Sequence, residues 1–119
     1  MPFILSTKDR TLIIKLDGEL DLVRAHEFRE TVDRALDEMM SRNLIIDLSS
    51  VTFIDSSGLG VILGRFRKIK SGRGEMVLYG AGPNVERILE LSGITTFVPL
   101  CRTEAEAWKI IERSRVKEA

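Results

Sequence analysis

Hydrophobic and polar residues follow one another along the chain in blocks that predict alternating strands and helices. Short apolar runs rich in β-branched residues indicate strands, and the run at 44–48 is apolar enough to be buried on both faces. Apolar residues that recur every three or four positions indicate amphipathic helices between the strands. The predicted strands are 3–5, 11–16, 44–48, 76–79 and 97–98, and the predicted helices begin near Leu22, Gly58, Pro83 and Glu104.

The order β-β-α-β-α-β-α-β-α predicts an α/β fold with a mixed, mostly parallel β-sheet and about four flanking α-helices. The chain has 119 residues, which suits one domain. We place this domain at residues 1–112 and a polar, fraying tail at residues 113–119. Gly18 is expected to end the second strand, and Gly93 the third helix. Thr103 and Glu106 are spaced as a capping box for the last helix.

Composition narrows the classes of function. Eighteen basic and eighteen acidic residues give no net charge, so no overall field favours nucleic acid or an anionic membrane. Cys101 is the only cysteine, which excludes an internal disulfide and a thiolate metal cluster. No apolar run approaches the roughly 20 residues that span a bilayer, and the N-terminus lacks the features of a signal peptide. We expect a cytoplasmic protein without a metal ion or other cofactor.

The segment 53–60 contains the most informative motif, Asp55-Ser56-Ser57-Gly58, between a strand and a helix. Free N–H groups at a helix start favour an anion, including a covalently attached phosphate. One serine hydroxyl can cap the helix, and a second is then spare. A phosphate adds about −1.5 to −2 charges. A partner that had to bury this charge beside Asp55 would be repelled, so the motif is either a simple cap or a switch.

Catalytic interpretations of the same region fail on spacing. A dinucleotide-binding loop needs glycine where Leu63 stands, and a nucleophile elbow needs glycine where Ile54 stands. The only histidine, His26, lies on an amphipathic helix, which favours a solvated residue over a general base. Asp47 and Asp55 lack the acid pair and the later lysine that a phosphoaspartate receiver needs. We therefore expect a binding protein and not an enzyme.

Two further patterns suggest contacts with other surfaces. Gly60 and Gly64 each cost roughly 1 kcal/mol in a helix interior, which predicts close approach of the sheet or of a partner. A basic run favours an acidic protein patch over nucleic acid. The run comprises Arg65, Arg67, Lys68, Lys70 and Arg73. Cys101 is expected near a sheet edge, and Trp108 is expected to anchor the last helix in the core.

The segment 53–65 closely resembles the anti-sigma factor antagonists of the STAS domain family. Residues 18–21 resemble the early loop of that family, and residues 85–93 resemble its third helix. The resemblance implies that an anti-sigma factor with serine kinase activity uses ATP to phosphorylate Ser56. It also implies that the unphosphorylated form binds this kinase and frees a sigma factor, and that a serine phosphatase restores the hydroxyl. Asp21 would support the phosphorylation contact, and Ser57 would be the helix cap.

The same resemblance places the partner surface on the helix that begins near Gly58. Its expected members are Gly58, Leu59, Gly60, Val61, Ile62 and Arg65. The details most resemble the sporulation branch, although Leu22-Val23 follow the early aspartate where that branch has polar residues or histidine. Three alternatives stay open. They are the general-stress branch, another sigma system, and a STAS scaffold subunit of a transport or other signalling complex.

Overall fold

The computed structural model describes the backbone of residues 3–118 and the side chains of residues 3–115. Its elements follow the predicted order, which confirms the α/β fold class. They are β1 (Phe3–Lys8), β2 (Thr11–Leu20), α1 (Leu22–Glu38), β3 (Asn43–Ile54), α2 (Ser56–Ser71), β4 (Met76–Tyr79), α3 (Pro83–Ser92), a 3₁₀ turn (Ile94–Thr96), β5 (Leu100–Cys101) and α4 (Glu104–Glu118).

The five strands lie side by side in chain order, and this order decides where the helices pack. β1 is antiparallel to β2, and the remaining neighbours are parallel. Right-handed crossovers between successive neighbours bring α1, α2 and α3 to one face of the sheet. Alternate residues of β3 confirm this: Ile46 belongs to the large core beneath these helices, and Ile45 to a smaller cluster beneath α4.

Strands β2 and β3 are both longer than predicted. Gly18 does not end β2, because its left-handed backbone (φ +84°) forms an irregularity through which the strand continues to Leu20. Beyond that point Leu20 pairs with Ile54, the last residue of β3. The ends of these two strands therefore lie together, and α1 and α2 begin at the same edge of the sheet.

The predicted strand at residues 97–98 is wrong. The N–H groups of Phe97 and Val98 both donate to the carbonyl of Ile94, at 3.0 and 2.9 Å, so they are not available to β4. Val98 is fully buried, whereas Phe97 is 64% exposed. The last strand is instead Leu100–Cys101, which pairs with the end of β4.

The end of α3 and the start of α4 lie where the glycine and the capping box in the sequence predict them. Gly93, with φ +84°, ends α3 as predicted. The capping box is confirmed, because the Glu106 N–H donates to Thr103 Oγ1 and the Thr103 N–H donates to Glu106 Oε1, both at 3.2 Å. Helix α4 continues through residues 113–118, so this part of the predicted tail is helical. The predictions for residues 1, 2 and 119 lie outside the described residues.

The predicted anchors near the second face of the sheet are partly buried. Cys101 lies in the last strand, as expected, and burial raises the pKa of its thiol. Trp108 is partly buried where it packs against the smaller cluster, and its Nε1 donates to Glu104 Oε2 at 3.1 Å. Both residues therefore have structural explanations within the fold.

Candidate functional site

The start of α2 is organised by Asp55. Its backbone is extended, and its Oδ1 accepts a hydrogen bond from the Gly58 N–H at 3.0 Å. Ser56 and Ser57 are the first two helical residues. The prediction that Ser57 caps the helix is therefore wrong, because a capping residue precedes the helix and has a non-helical backbone. Neither serine hydroxyl forms a hydrogen bond with the described residues, so both are available for other contacts.

Helix α1 begins beside α2 in the same way. Asp21 caps it, and its Oδ1 accepts from the Arg24 N–H at 3.0 Å. The carbonyl of Leu20, which precedes Asp21, accepts from the Asp55 N–H at 3.2 Å. This bond joins the two helix starts and places Asp21 at the same edge as Ser56. Because both helix N-termini carry partial positive charge, this edge favours an anion.

Gly58 holds the two helix starts close together. A Cβ atom at this position would lie 2.5 Å from the Leu20 carbonyl oxygen and 2.8 Å from Ile54 Cγ2. Gly58 is buried, so its predicted role as a direct partner contact is corrected to a packing role. Its N–H is the group that Asp55 caps, so Gly58 also fixes the first turn of α2, which carries Ser56.

Two more residues of the predicted partner surface face inward. Ile62 is fully buried in the large core, since it points from α2 toward the sheet. Arg65 is 7% exposed, and its Nη1 donates to Asp33 Oδ2 on α1 at 3.2 Å. Burial lowers the pKa of Arg65, and the charge of Asp33 opposes that shift. Both residues hold α2 in place, so Ile62 has no surface for a partner and Arg65 has very little.

The basic run is largely neutralised within the fold. Lys68 Nζ lies 3.4 Å from Asp33 Oδ1, so Asp33 pairs with two cations of the run. Lys70 Nζ lies 3.7 Å from Glu75 Oε2. Only Arg67 and Arg73 of the run are left without a described ion pair. The expectation that this run docks an acidic protein patch is therefore not supported.

The outer surface of α2 borders a groove on each side. The α1–α2 groove is bounded by Leu22, His26, Arg29, Ser57, Val61 and Gly64. The α2–α3 groove is bounded by Ser56, Leu59, Leu63, Ile94, Thr96 and Phe97. Gly60 borders both grooves, and Arg65 also reaches the first. The two serines thus face different grooves, and Ser56 is the more exposed of the two.

The second groove contains residues that the sequence did not single out as functional. Phe97 was assigned to a strand, and Thr96 drew no prediction. Their only local signal is a large apolar side chain that directly follows two threonines and precedes the buried Val98. That signal does not show which of two neighbouring apolar residues faces outward, since the turn geometry decides it.

The described residues hold no arrangement typical of a catalytic or metal centre. His26 is exposed on α1, and its Nε2 lies 4.0 Å from Glu30 Oε1. No three histidine, cysteine, aspartate or glutamate side chains among the described residues converge as metal ligands would. Within the same range, no helix is both long enough and apolar enough to cross a membrane.

The sequence family agrees with this architecture. A model of the STAS domain matches residues 3–107, and the chain belongs to the STAS domain family. It is 37% identical over 101 residues to an anti-sigma F factor antagonist from Paenibacillus polymyxa, covering 85% of this chain and 86% of that protein. It is 30% identical over 91 residues to an anti-sigma-B factor antagonist from Listeria monocytogenes, covering 75% of this chain and 77% of that protein.

Solved structures extend the comparison to a protein seen in two states. The anti-sigma factor antagonist SpoIIAA in its unphosphorylated form is 28% identical, with a TM-score of 0.70, and the match covers 92% of this chain and 97% of that chain. The phosphorylated form of SpoIIAA, from Bacillus, matches with a TM-score of 0.71 and 28% identity over 92% and 98% of the two chains. The predicted resemblance to anti-sigma factor antagonists is thereby confirmed.

Proposed function

We propose that this protein is an anti-sigma factor antagonist that phosphorylation of Ser56 switches off. In its unphosphorylated form it binds an anti-sigma factor and so releases a sigma factor. The observation that carries the proposal is the position of Ser56, an exposed hydroxyl at the first residue of α2, directly after the capping Asp55. Relatives named anti-sigma factor antagonists, one of them known in both phosphorylation states, support it.

In this proposal the chain is a substrate and a binding partner. The anti-sigma factor kinase transfers the γ-phosphoryl group of ATP to Ser56 Oγ: the new O–P bond forms as the bond to ADP breaks, and the hydroxyl proton passes to a base on the kinase. A serine phosphatase hydrolyses the phosphoserine with water. This chain supplies the hydroxyl and its surroundings, so its own function requires neither a catalytic residue nor a cofactor. Because of these reactions, we propose that the protein acts in the cytoplasm.

The residues around Ser56 have different roles in this proposal. Asp55 keeps the first turn of α2 formed, while Asp21 does the same for α1 at the same edge. Ser57 is half-buried and faces the other groove, which makes Ser56 the better acceptor of phosphate. Of the surface expected from the sequence, Leu59, Gly60 and Val61 retain exposed or partly exposed surface for a partner.

Phosphorylation would affect the free and bound states differently. In the free protein, the N–H groups at the start of α2 stabilise the added charge. In the complex, a group carrying about −1.5 to −2 charges beside Asp55 would have to be buried. Such juxtaposition of like charges costs several kcal/mol, and each 1.4 kcal/mol reduces affinity tenfold. One phosphate is therefore sufficient to end binding.

Site mapping tests the assignment of Ser56. The protein is incubated with ATP and the anti-sigma factor kinase of its own genome, and phosphate is located by mass spectrometry. We expect one phosphate on Ser56 of the natural protein and on Ser57→Ala, and none on Ser56→Ala. Phosphorylation of Ser56→Ala to the extent of the natural protein would show that the site is assigned wrongly.

Calorimetry with the same kinase tests the switch. Ser56→Ala keeps the small neutral side chain and is expected to bind as the natural protein does. Ser56→Asp is expected to bind at least about tenfold more weakly because of its negative charge. Equal affinities of the two variants would exclude electrostatic switching at this position.

A further inference from the structure

The α2–α3 groove is lined entirely by uncharged side chains among the described residues. Leu59 and Leu63 form one wall, and Ile94 and Phe97 form the other. Ser56 lies at its rim. Apolar grooves of this kind next to a regulatory residue are typical of protein interaction surfaces.

Phe97 is held outward by the structure around it. Gly93 ends α3, and the 3₁₀ turn that follows directs the N–H groups of Phe97 and Val98 to the Ile94 carbonyl. Ile94 and Val98 are buried on either side of the exposed ring. The aromatic side chain is therefore presented on an ordered turn, which lowers the entropy cost of using it in an interface. Exposed aromatic anchors often dominate binding energy.

The α1–α2 groove has a different charge. His26 and Arg29 lie along its α1 side, and the paired Arg65 reaches it from α2. A phosphate that faced this groove would have the Arg29 guanidinium near it. A phosphate on Ser56 faces the α2–α3 groove, where no described side chain could compensate its charge. Phosphorylation would thus disturb a partner in the second groove far more than a partner in the first.

We propose that an apolar segment of the anti-sigma factor occupies the α2–α3 groove, with Phe97 as its main anchor. This inference rests on the proposed function and adds to it the surface that the partner uses. A kinase that reaches Ser56 Oγ must cover the surface next to that atom, and the groove is continuous with it. The absence of charged groups in its lining suits an apolar segment and leaves the phosphate dianion without a side-chain cation in the groove.

Truncation of the anchor tests the surface. The probe is the anti-sigma factor kinase of the same genome, titrated calorimetrically with the full chain. We expect Phe97→Ala to weaken binding by about 30-fold. The matched control is Leu91→Ala, because Leu91 is 82% exposed at the end of α3 and does not line the groove. The control is expected to bind within about twofold of the natural protein, and both variants should keep its melting temperature.

Phosphorylation kinetics provide a second measurement. Phe97 does not bear the reacting hydroxyl, so Phe97→Ala should raise the KM for phosphorylation of Ser56 and leave kcat nearly unchanged. Leu91→Ala should change neither constant. An unchanged KM together with unchanged affinity for Phe97→Ala would overturn the proposed anchor.

A pair of charge variants distinguishes the two grooves. Thr96→Glu places a negative charge on the wall of the α2–α3 groove, and His26→Glu places one on the α1–α2 groove. We expect Thr96→Glu to reduce affinity at least about tenfold and His26→Glu to change it little. The opposite ranking would assign the partner to the α1–α2 groove. If the natural protein binds no anti-sigma factor, the proposed function fails. If the natural protein binds and the Phe97→Ala and Thr96→Glu variants bind equally well, this inference alone fails.

Discussion

Single residues at the start of α2 have more than one role. Asp55 directly follows β3, caps α2 and lies directly before Ser56. Its carboxylate is already engaged with the Gly58 N–H, so it fixes the first turn in which both serines lie. Removing a helix cap of this kind costs about 1 kcal/mol. The aspartate is therefore a positioning residue for the hydroxyl as well as a source of negative charge next to it.

Gly58 provides the sharpest stability prediction at the residue scale. In Gly58→Ala the new methyl group would clash with the Leu20 carbonyl, a backbone atom that cannot rotate away. We expect a net loss of about 1–3 kcal/mol in the free energy of unfolding, even though alanine is the better helix former. Urea denaturation followed by circular dichroism measures it. A denaturation midpoint at or above that of the natural protein would contradict the close packing of the two helix starts.

Helix α2 separates a packed face from an open face. Its packed face carries Ile62, Ile69 and the paired Arg65, and its open face carries Gly60 and Gly64. Apart from the chain neighbours and the backbone of α2 itself, a Cβ atom at either glycine would meet no atom within 4 Å. Of the two explanations that the sequence allowed, close approach of the sheet is therefore excluded. The glycines weaken α2 without any packing benefit inside the described structure.

For Gly60 and Gly64 we expect substitution by alanine to stabilise the protein, which is the opposite of the effect expected at Gly58. Because there is room for a methyl group and alanine has the higher helix propensity, Gly64→Ala should raise the free energy of unfolding by about 1 kcal/mol. Gly60→Ala should do the same. Thermal and urea denaturation measure both variants beside Gly58→Ala, the matched packed position. Destabilisation by all three substitutions would contradict the conclusion that there is room for a methyl group at Gly60 and Gly64.

At the scale of the whole molecule, the sheet has a second face, and α4 is the described helix that covers it. Across this face Lys15, Asp47, Tyr79 and Cys101 occupy neighbouring positions on successive strands. The Tyr79 hydroxyl donates to Glu104 Oε1 of α4 at 3.4 Å. Burial raises the pKa of Tyr79, and the nearby carboxylates of Asp47 and Glu104 raise it further. This tyrosine links the sheet to α4 in its neutral form.

Alkaline titration tests that link. The raised pKa means that folding stabilises the protonated tyrosine, whose ordinary pKa is 10.0. Its contribution is complete below about pH 10 and is lost progressively as the pH rises above that value. The free energy of unfolding of the natural protein minus that of Tyr79→Phe should therefore be constant up to this pH and fall above it. A difference that stays constant through pH 11 would argue against the burial of the hydroxyl beside the two carboxylates.

The sequence predicted the order of elements because periodicity and capping are local properties. The capping box of α4 and the glycine that ends α3 could be read within a few residues. The strand at 97–98 was wrong because its N–H groups bond to a preceding turn instead of to a neighbouring strand. The assignment of Ser57 as the helix cap also failed, since the pairing of β2 with β3 decides where β3 ends and Asp55 directly follows it.

By itself, the sequence determined the α/β order of elements, the resemblance to anti-sigma factor antagonists and the serine motif at the start of α2. Only the tertiary structure decided which sides of α2 are open. It buried Ile62, paired Arg65 with a carboxylate 32 residues away and turned Phe97 outward. These outcomes depend on contacts between residues that are distant in the chain. A local pattern shows that a side chain is apolar or charged, but the packing of the other elements decides what it touches.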